Sequence, residues 1–343
     1  MRAYLAIFLC FLSSGLFAAH RTLNVYGWGG ELPRSLIRDF EQETGINIYF
    51  STYDSNETLY AKLHATKQQP VYDVIMPSAY FVERLKNQKF LEKLDKTKLP
   101  HLKNIDRSFN GQDYDAFNEH SVPLIWGITG LFYNSKWIKN PPTSWEALWN
   151  PGYKHTLMLI DDPREVFGMA LLTLGYSPND INPAHITQAY EKLQALAPNI
   201  KLFASDGIKS LMIDEEVHIG PAYNGDAFKA QQENLNIKLV YPEEGYAMWI
   251  DCLSIMKNAP HREEAYIFID FLLRAKSAAT IAKKEGHAIT NRAGIALLPE
   301  TTRNNLIIYP PKEVIERSIV QRDMPNNILR LYNYYWQQLK FSL

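Results

Sequence analysis

Three short stretches carry side chains that could hold a positive charge. Tyr246-Ala247-Met248-Trp249-Ile250-Asp251 reads as extended, and alternation puts Trp249 and Asp251 on one face. An acid beside an indole is an odd choice for a core. The pair suits an ammonium group, which the carboxylate bonds and the ring face attracts. A rim aspartate next to a packed tryptophan is the plainer alternative. Asp161-Asp162-Pro163-Arg164-Glu165 opens a helix. Asp162 suits the N-cap, Pro163 the first helical position and Glu165 the third, a capping-box arrangement. The same carboxylates could instead face a cation, since two or three acids at one spot outweigh the positive end of a helix. Spacing leaves both roles open.

Gly27-Trp28-Gly29-Gly30 follows a strand and precedes a helix. A dinucleotide fingerprint would need glycine at position 32; that residue is Leu32, and Pro33 follows at once. Trp28 then sits at the C-terminal end of a strand, facing either a crevice or a core. There is no G-x-S-x-G elbow, no H-E-x-x-H and no P-loop. His218 and His287 are isolated, and no His/Cys cluster has metal spacing. The residues point to binding without catalysis, and no cofactor or metal is expected.

The elements that must position these residues alternate. Strands are expected over Thr22–Tyr26, Ile46–Thr52 and Val71–Met76, with helices over Pro33–Thr44, Asp54–Leu63 and Tyr80–Asn87. Such alternation indicates βαβ units, a parallel sheet and ligands at the strand C-terminal ends. The pattern restarts around Gly130–Asn134. A short helix is expected over Trp145–Leu148, strands over Thr156–Ile160, Val217–Gly220 and Lys238–Tyr241, and helices over Asp162–Gly175, Glu191–Ala195 and Glu263–Leu273. Trp249–Met256 reads as extended. No repeat or Gly/Ser linker separates the two α/β halves, so strands should pass directly between them, near Thr129–Tyr133 and Asp251–Ile255.

Length and composition fit that picture. The 343 residues suggest about two domains. Lys+Arg of 36 against Asp+Glu of 37 leaves no basic excess to attract nucleic acid. Met1-Arg2, an apolar run over Ala3–Leu12 and small residues before Ala18-Ala19 read as a cleaved secretory leader over residues 1–19. After cleavage only Cys252 remains, so no internal disulfide is expected, and a core of this size does not need one.

Ser51–Leu63, Val122–Gly127, Asp161–Leu171 and Met248–Leu253, in that order, resemble the periplasmic spermidine/putrescine-binding proteins of polyamine ABC importers. The likeness runs over essentially the whole mature chain. It implies an α/β, two-lobed periplasmic-binding-protein clamp of type II, each lobe a mixed sheet flanked by helices, with the ligand cleft at the hinge. The lobes would be discontinuous: 20–129 with 252–296, and 130–251 with 297–343. It further implies that Trp28, Tyr80, Tyr223 and Trp249 wall the ligand, that Asp162, Glu165 and Asp251 pair with its amines, and that Ser205 and Gln321 add lesser polar contacts. The family turn carries tryptophan followed by threonine, glutamate and tyrosine; here Trp28 is followed by Gly29, Gly30 and Glu31. His287 stands where the family has a tyrosine, and Tyr223 where it has a tryptophan. Glu31 and His287 therefore join the expected ligand set. The implied partners are a polyamine and an inner-membrane ABC permease, for a monomeric periplasmic protein. Another cationic amine, an amino-acid derivative or a polyamine-sensing role are the alternatives.

Overall fold

The computed structural model describes residues 21–67, 69–205 and 207–341. The expected leader lies outside these. Eleven strands form the framework: β1 (Thr22–Trp28), β2 (Asn47–Tyr53), β3 (Val74–Ile75), β4 (Val122–Asn134), β5 (Leu157–Ile160), β6 (Ile200–Ala204), β7 (Ile219–Tyr223), β8 (Ile237–Val240), β9 (Tyr246–Ile255), β10 (Ala288–Ile289) and β11 (Ser318–Val320). Their order is β2-β1-β3-β9-β4-β7-β5-β6, with β10 and β8 on β4 and β11 on β9. The βαβ reading holds at both ends, where β1 pairs in parallel with β2 and β3, and β5 with β6 and β7. The middle is antiparallel, because β4 and β9 run against each other and against their outer neighbours β7 and β3. The sheet is therefore mixed.

β4 and β9 make the junction. The first part of β4 pairs with β9 over Val122–Ile128, and its second part turns to β7 and β8 over Thr129–Asn134. β9 in turn meets β11 at Tyr246–Met248 and β3 at Ser254–Ile255. A restart near Gly130 is thus not what the chain does, since one uninterrupted strand of 13 buried residues runs through that point. A strand covered on both faces shows no alternation, so its length is hidden from a pattern reading. Gly127 is required there: a Cβ would come within 2.1 Å of the Trp249 ring.

Helices cover the sheet. α1 (Arg34–Thr44), α2 (Asn56–Ala65) and α3 (Ala79–Asn87) belong to the β1–β3 end. α4 (Pro163–Thr173), α5 (Pro183–Leu196), α6 (Ile208–Ile213) and α7 (Asn224–Glu233) belong to the β5–β8 end. α8 (Arg262–Leu272) and α9 (Ala275–Glu285) return to the first end, where Phe40 of α1 meets Phe268 and Phe271 edge-on at 5.1 and 5.3 Å. The helix Asn326–Phe341 packs on α4 and α5.

Several bounds differ from expectation for local reasons. The helix expected from Asp54 begins at Asn56, because Ser55 takes the N-cap and accepts from Thr58 N. Val71–Met76 reduces to a two-residue strand. The buried Asp73 carboxylate accepts instead from the backbone N–H groups of Asn24 and His261, at 2.8 and 2.7 Å. The helix read at Glu191–Ala195 starts at Pro183, capped by Asn182. Val217–Gly220 shifts to Ile219–Tyr223. Nothing in the local pattern had announced α9 or the helix Asn326–Phe341.

Candidate functional site

The site forms where the end of β1, the middle of β9 and the start of α3 meet the start of α4. On the first side the turn after β1 carries Trp28 and Glu31. Gly30 occupies φ +79° there, a left-handed conformation that glycine adopts without strain. The turn folds Glu31 inward to 5% exposure, where it meets Asp251, 7% exposed on β9. Ser78, at the N-cap position of α3, donates its hydroxyl to Asp251 Oδ1 at 2.6 Å. Asn56 Nδ2 donates to Ser78 Oγ and to Tyr80 OH, both at 3.1 Å, and Asn56 Oδ1 accepts from Ser78 N at 3.2 Å. Burial raises the Asp251 carboxyl to about 6. Burial, and then the neighbouring Asp251 charge, holds Glu31 well above the usual carboxylate range.

On the second side Asp162 caps α4, its Oδ1 accepting from Arg164 N at 2.7 Å and Glu165 N at 3.4 Å. The capping box is only half made. Glu165 does not reach back; its Oε1 accepts from Gln321 Nε2 at 3.0 Å. Burial, with the Asp162 charge second, lifts Glu165 to about 7, and burial lifts Asp162 as well. Asp162 is thus the cap of α4, and it spends only one of its two oxygens on the N-cap bonds.

The rings stand between these acids. Trp249 meets Tyr223 edge-on at 5.9 Å and His287 edge-on at 6.2 Å. Trp28 leans on Tyr53 at 4.6 Å. Tyr80 faces differently from an open wall, since the Arg164 guanidinium lies 5.2 Å from its ring centre. His287 Nε2 sits 3.4 Å from Gly30 O. Burial holds this imidazole down to about 4, which favours its neutral form. Trp28 Nε1, Trp249 Nε1, His287 Nδ1 and Glu31 Oε2 are all buried without a protein partner, leaving polar atoms in the lining for a ligand to meet. Ser205 is exposed just beyond β6 and makes no hydrogen bond to this cluster.

Four contributors escaped the sequence reading: Asn56, Ser78, Tyr53 and Glu57. Tyr53, Asn56 and Glu57 lie within Ser51–Leu63, so the stretch was noticed but its roles were not. Glu57 stands exposed at the start of α2; partial desolvation, and then the Asp162 charge, raise its carboxyl above the usual range. Ser78 and Asp251 are 173 positions apart, beyond any local signal.

A further set of contacts spans the two sides. Arg84 of α3 donates Nε to Asp323 Oδ1 at 2.8 Å and Nη2 to Met324 O at 2.7 Å. Arg322 donates to both Glu83 oxygens and to Asp113 Oδ2. Among the described residues no group of three or more His, Cys, Asp or Glu side chains is placed to hold a metal.

With this geometry in view, the relatives are informative. The chain is 40% identical to the spermidine/putrescine-binding periplasmic protein of Salmonella typhimurium, over 96% of this chain and 95% of that one. It is 30% identical to a putrescine-binding periplasmic protein of Escherichia coli, over 95% and 93%. Among solved structures, a putative spermidine/putrescine ABC transporter protein of Listeria monocytogenes matches with a TM-score of 0.90 at 34% identity, covering 94% of this chain and 100% of that one. The structure of a spermidine/putrescine ABC transporter substrate-binding protein from Streptococcus pneumoniae matches at 0.82 and 33%, over 94% and 99%. These neighbours share the two-lobed periplasmic-binding-protein fold. The model for bacterial extracellular solute-binding proteins matches residues 35–307. The chain belongs to the bacterial extracellular solute-binding protein family.

Proposed function

We propose that this protein captures a polyamine, spermidine or putrescine, between its two lobes and delivers it to an ABC permease of the inner membrane. One observation carries the reading: two groups of acids, buried Glu31 with Asp251 and half-buried Asp162 with buried Glu165, flank a set of aromatic rings. An alkyl polyamine repeats that alternation, with ammonium groups at intervals along an apolar chain. Each ring contact with a desolvated cation contributes about 0.5–2 kcal/mol. Truncating a buried charge partner costs about 2–5 kcal/mol. The carboxyls therefore anchor the ligand and the rings select it.

In this reading Trp28, Trp249 and Tyr223 line the methylene chain, Tyr80 contributes its hydroxyl edge, and Gln321 holds Glu165 in place. Ser205 sits at the periphery. Residues 20–129 with 252–296, and 130–251 with 297–343, form the lobes, which close by bending at β4 and β9. The protein is a monomeric periplasmic receptor without catalytic activity, released from a leader over residues 1–19. No helix among the described residues is long and apolar enough to cross a membrane. Calorimetric titration of the mature protein with spermidine and putrescine tests the cargo, and failure of both to bind more tightly than about millimolar overturns it.

The Glu31 and His287 departures favour one second reading, in which the same cleft prefers a different cationic amine. A thermal-shift panel of amines separates the two, since the true ligand stabilises the folded state most.

A further inference from the structure

We propose that Glu31 and Asp251 form a one-proton site: with the cleft empty the two carboxyls share a proton, and the ammonium head of a ligand takes that proton's place. This inference rests on the polyamine reading and adds to it a specificity device that the resemblance does not supply, since the family carries a tyrosine where Glu31 stands.

The environment favours a shared proton. Glu31 and Asp251 are buried neighbours, each acting on the other's charge. A pair of carboxylates contains no donor, so a proton on one member turns their contact from repulsion into a hydrogen bond. Both are almost out of solvent, at 5% and 7% exposure, where two adjacent negative charges oppose each other strongly. Among the described residues no Lys, Arg or His makes an ion pair with either. The Ser78 hydroxyl satisfies Asp251 Oδ1, while Glu31 Oε2 is buried and unpartnered, so the pair keeps an open acceptor.

The groups packed around the pair do not neutralise it. Tyr53 from β2, Tyr114 from the segment before β4 and Cys252 from β9 are all pushed up by burial and stay uncharged near neutrality. Tyr80 from α3 is raised in the same way. His287, reaching the turn at Gly30, is neutral above about 4. The buried Asp115 lies beyond Cys252 and Tyr114 and is met by Lys86 and His120, at 4.0 and 3.5 Å. Across the cleft, burial and then the Asp162 charge raise Glu165 to about 7.

An ammonium brings three donors and a full positive charge. On docking, it donates to the freed oxygens of both carboxylates, and the shared proton leaves to solvent. The balance is one cation bound and one proton released, with no bond made or broken in the ligand. A head group bearing a carboxylate finds only repulsion there.

The test counts protons. The mature protein is titrated with spermidine at about pH 6.5 in two buffers of different ionisation enthalpy, and the dependence of the heat on the buffer gives the protons exchanged. Glu31→Gln keeps a donor to Asp251 but has no proton to lose, and Asp251→Asn breaks the pair from the other side. Glu165 remains in all three proteins, so its own exchange cancels in the comparison. Wild type should release about one proton more than either variant, and its affinity should rise more steeply between about pH 5.5 and about pH 7.5. Binding with equal proton counts in wild type and in whichever variants fold overturns the shared-proton site and leaves the polyamine reading standing. No binding of spermidine or putrescine by wild type overturns the polyamine reading itself.

Discussion

Arg322 grips Glu83 through two nitrogens, Nε to Oε2 at 3.0 Å and Nη2 to Oε1 at 2.8 Å, and so fastens the segment after β11 to α3. The contact draws together two elements that face each other across the cleft. Asp323 N also donates to Glu83 Oε2 at 3.0 Å, and Arg84 returns the grip to Asp323. Bidentate geometry of this kind resists the shearing that lobe opening requires.

Arg322→Ala should therefore favour the open form. The pair is partly solvated, so the loss is about 1 kcal/mol, or about fivefold in polyamine affinity. Small-angle scattering of the unliganded variant should show a larger radius of gyration. Unchanged radius and affinity would mean that the contact does not govern closure.

Asp251→Asn should weaken polyamine binding by at least about tenfold, because the neutral amide removes the negative charge that pairs with an ammonium. Calorimetry reads this directly. An unchanged affinity would remove Asp251 from the site.

The raised Glu165 carboxyl has a consequence for stability. Its folded value of about 7 lies above the ordinary 4.5, so the folded state holds the proton more tightly than the unfolded chain. That stabilisation is present below about 4.5 and is lost as pH rises through about 7. The melting temperature of unliganded Glu165→Gln should consequently fall less than that of wild type between about pH 5 and about pH 8, by a few degrees. Parallel melting profiles would show that Glu165 is already ionised when folded.

Gly127→Ala would place a Cβ 2.1 Å from Trp249 Cζ2 and 2.6 Å from Asn224 Oδ1. Overpacking of this sort costs about 1–3 kcal/mol and must displace the Trp249 ring. Near-ultraviolet circular dichroism should change together with a loss of affinity. A folded variant with native affinity would show that the Trp249 position does not matter to the ligand.

Glu31→Tyr restores the family residue at the turn. The ratio of spermidine to putrescine affinity should shift, since an aromatic wall replaces an acid. A constant ratio in competition titrations would mean the turn faces away from the ligand.

Local signals carried a good part of this molecule. Asp162 and Pro163 announce the start of α4, and the cap forms as they require, because an N-cap is a bond between neighbours in the chain. The alternation at Trp249 and Asp251 likewise sends both toward the cluster around Glu31 and Tyr223. The α/β character and the charge balance needed no structure to be read.

What lay beyond the sequence is what long-range packing decides. The Ser78–Asp251 bond, the Gln321–Glu165 bond and the Arg322–Glu83 pair join residues more than 150 positions apart, and no local spacing encodes them. The shared proton of Glu31 and Asp251 is of the same kind. Each acid taken alone would ionise near 4; only their meeting inside a water-poor fold makes one of them keep its proton. Residue types determined that this chain could bind a cation, and tertiary structure decided where the charges meet and at what cost in hydration.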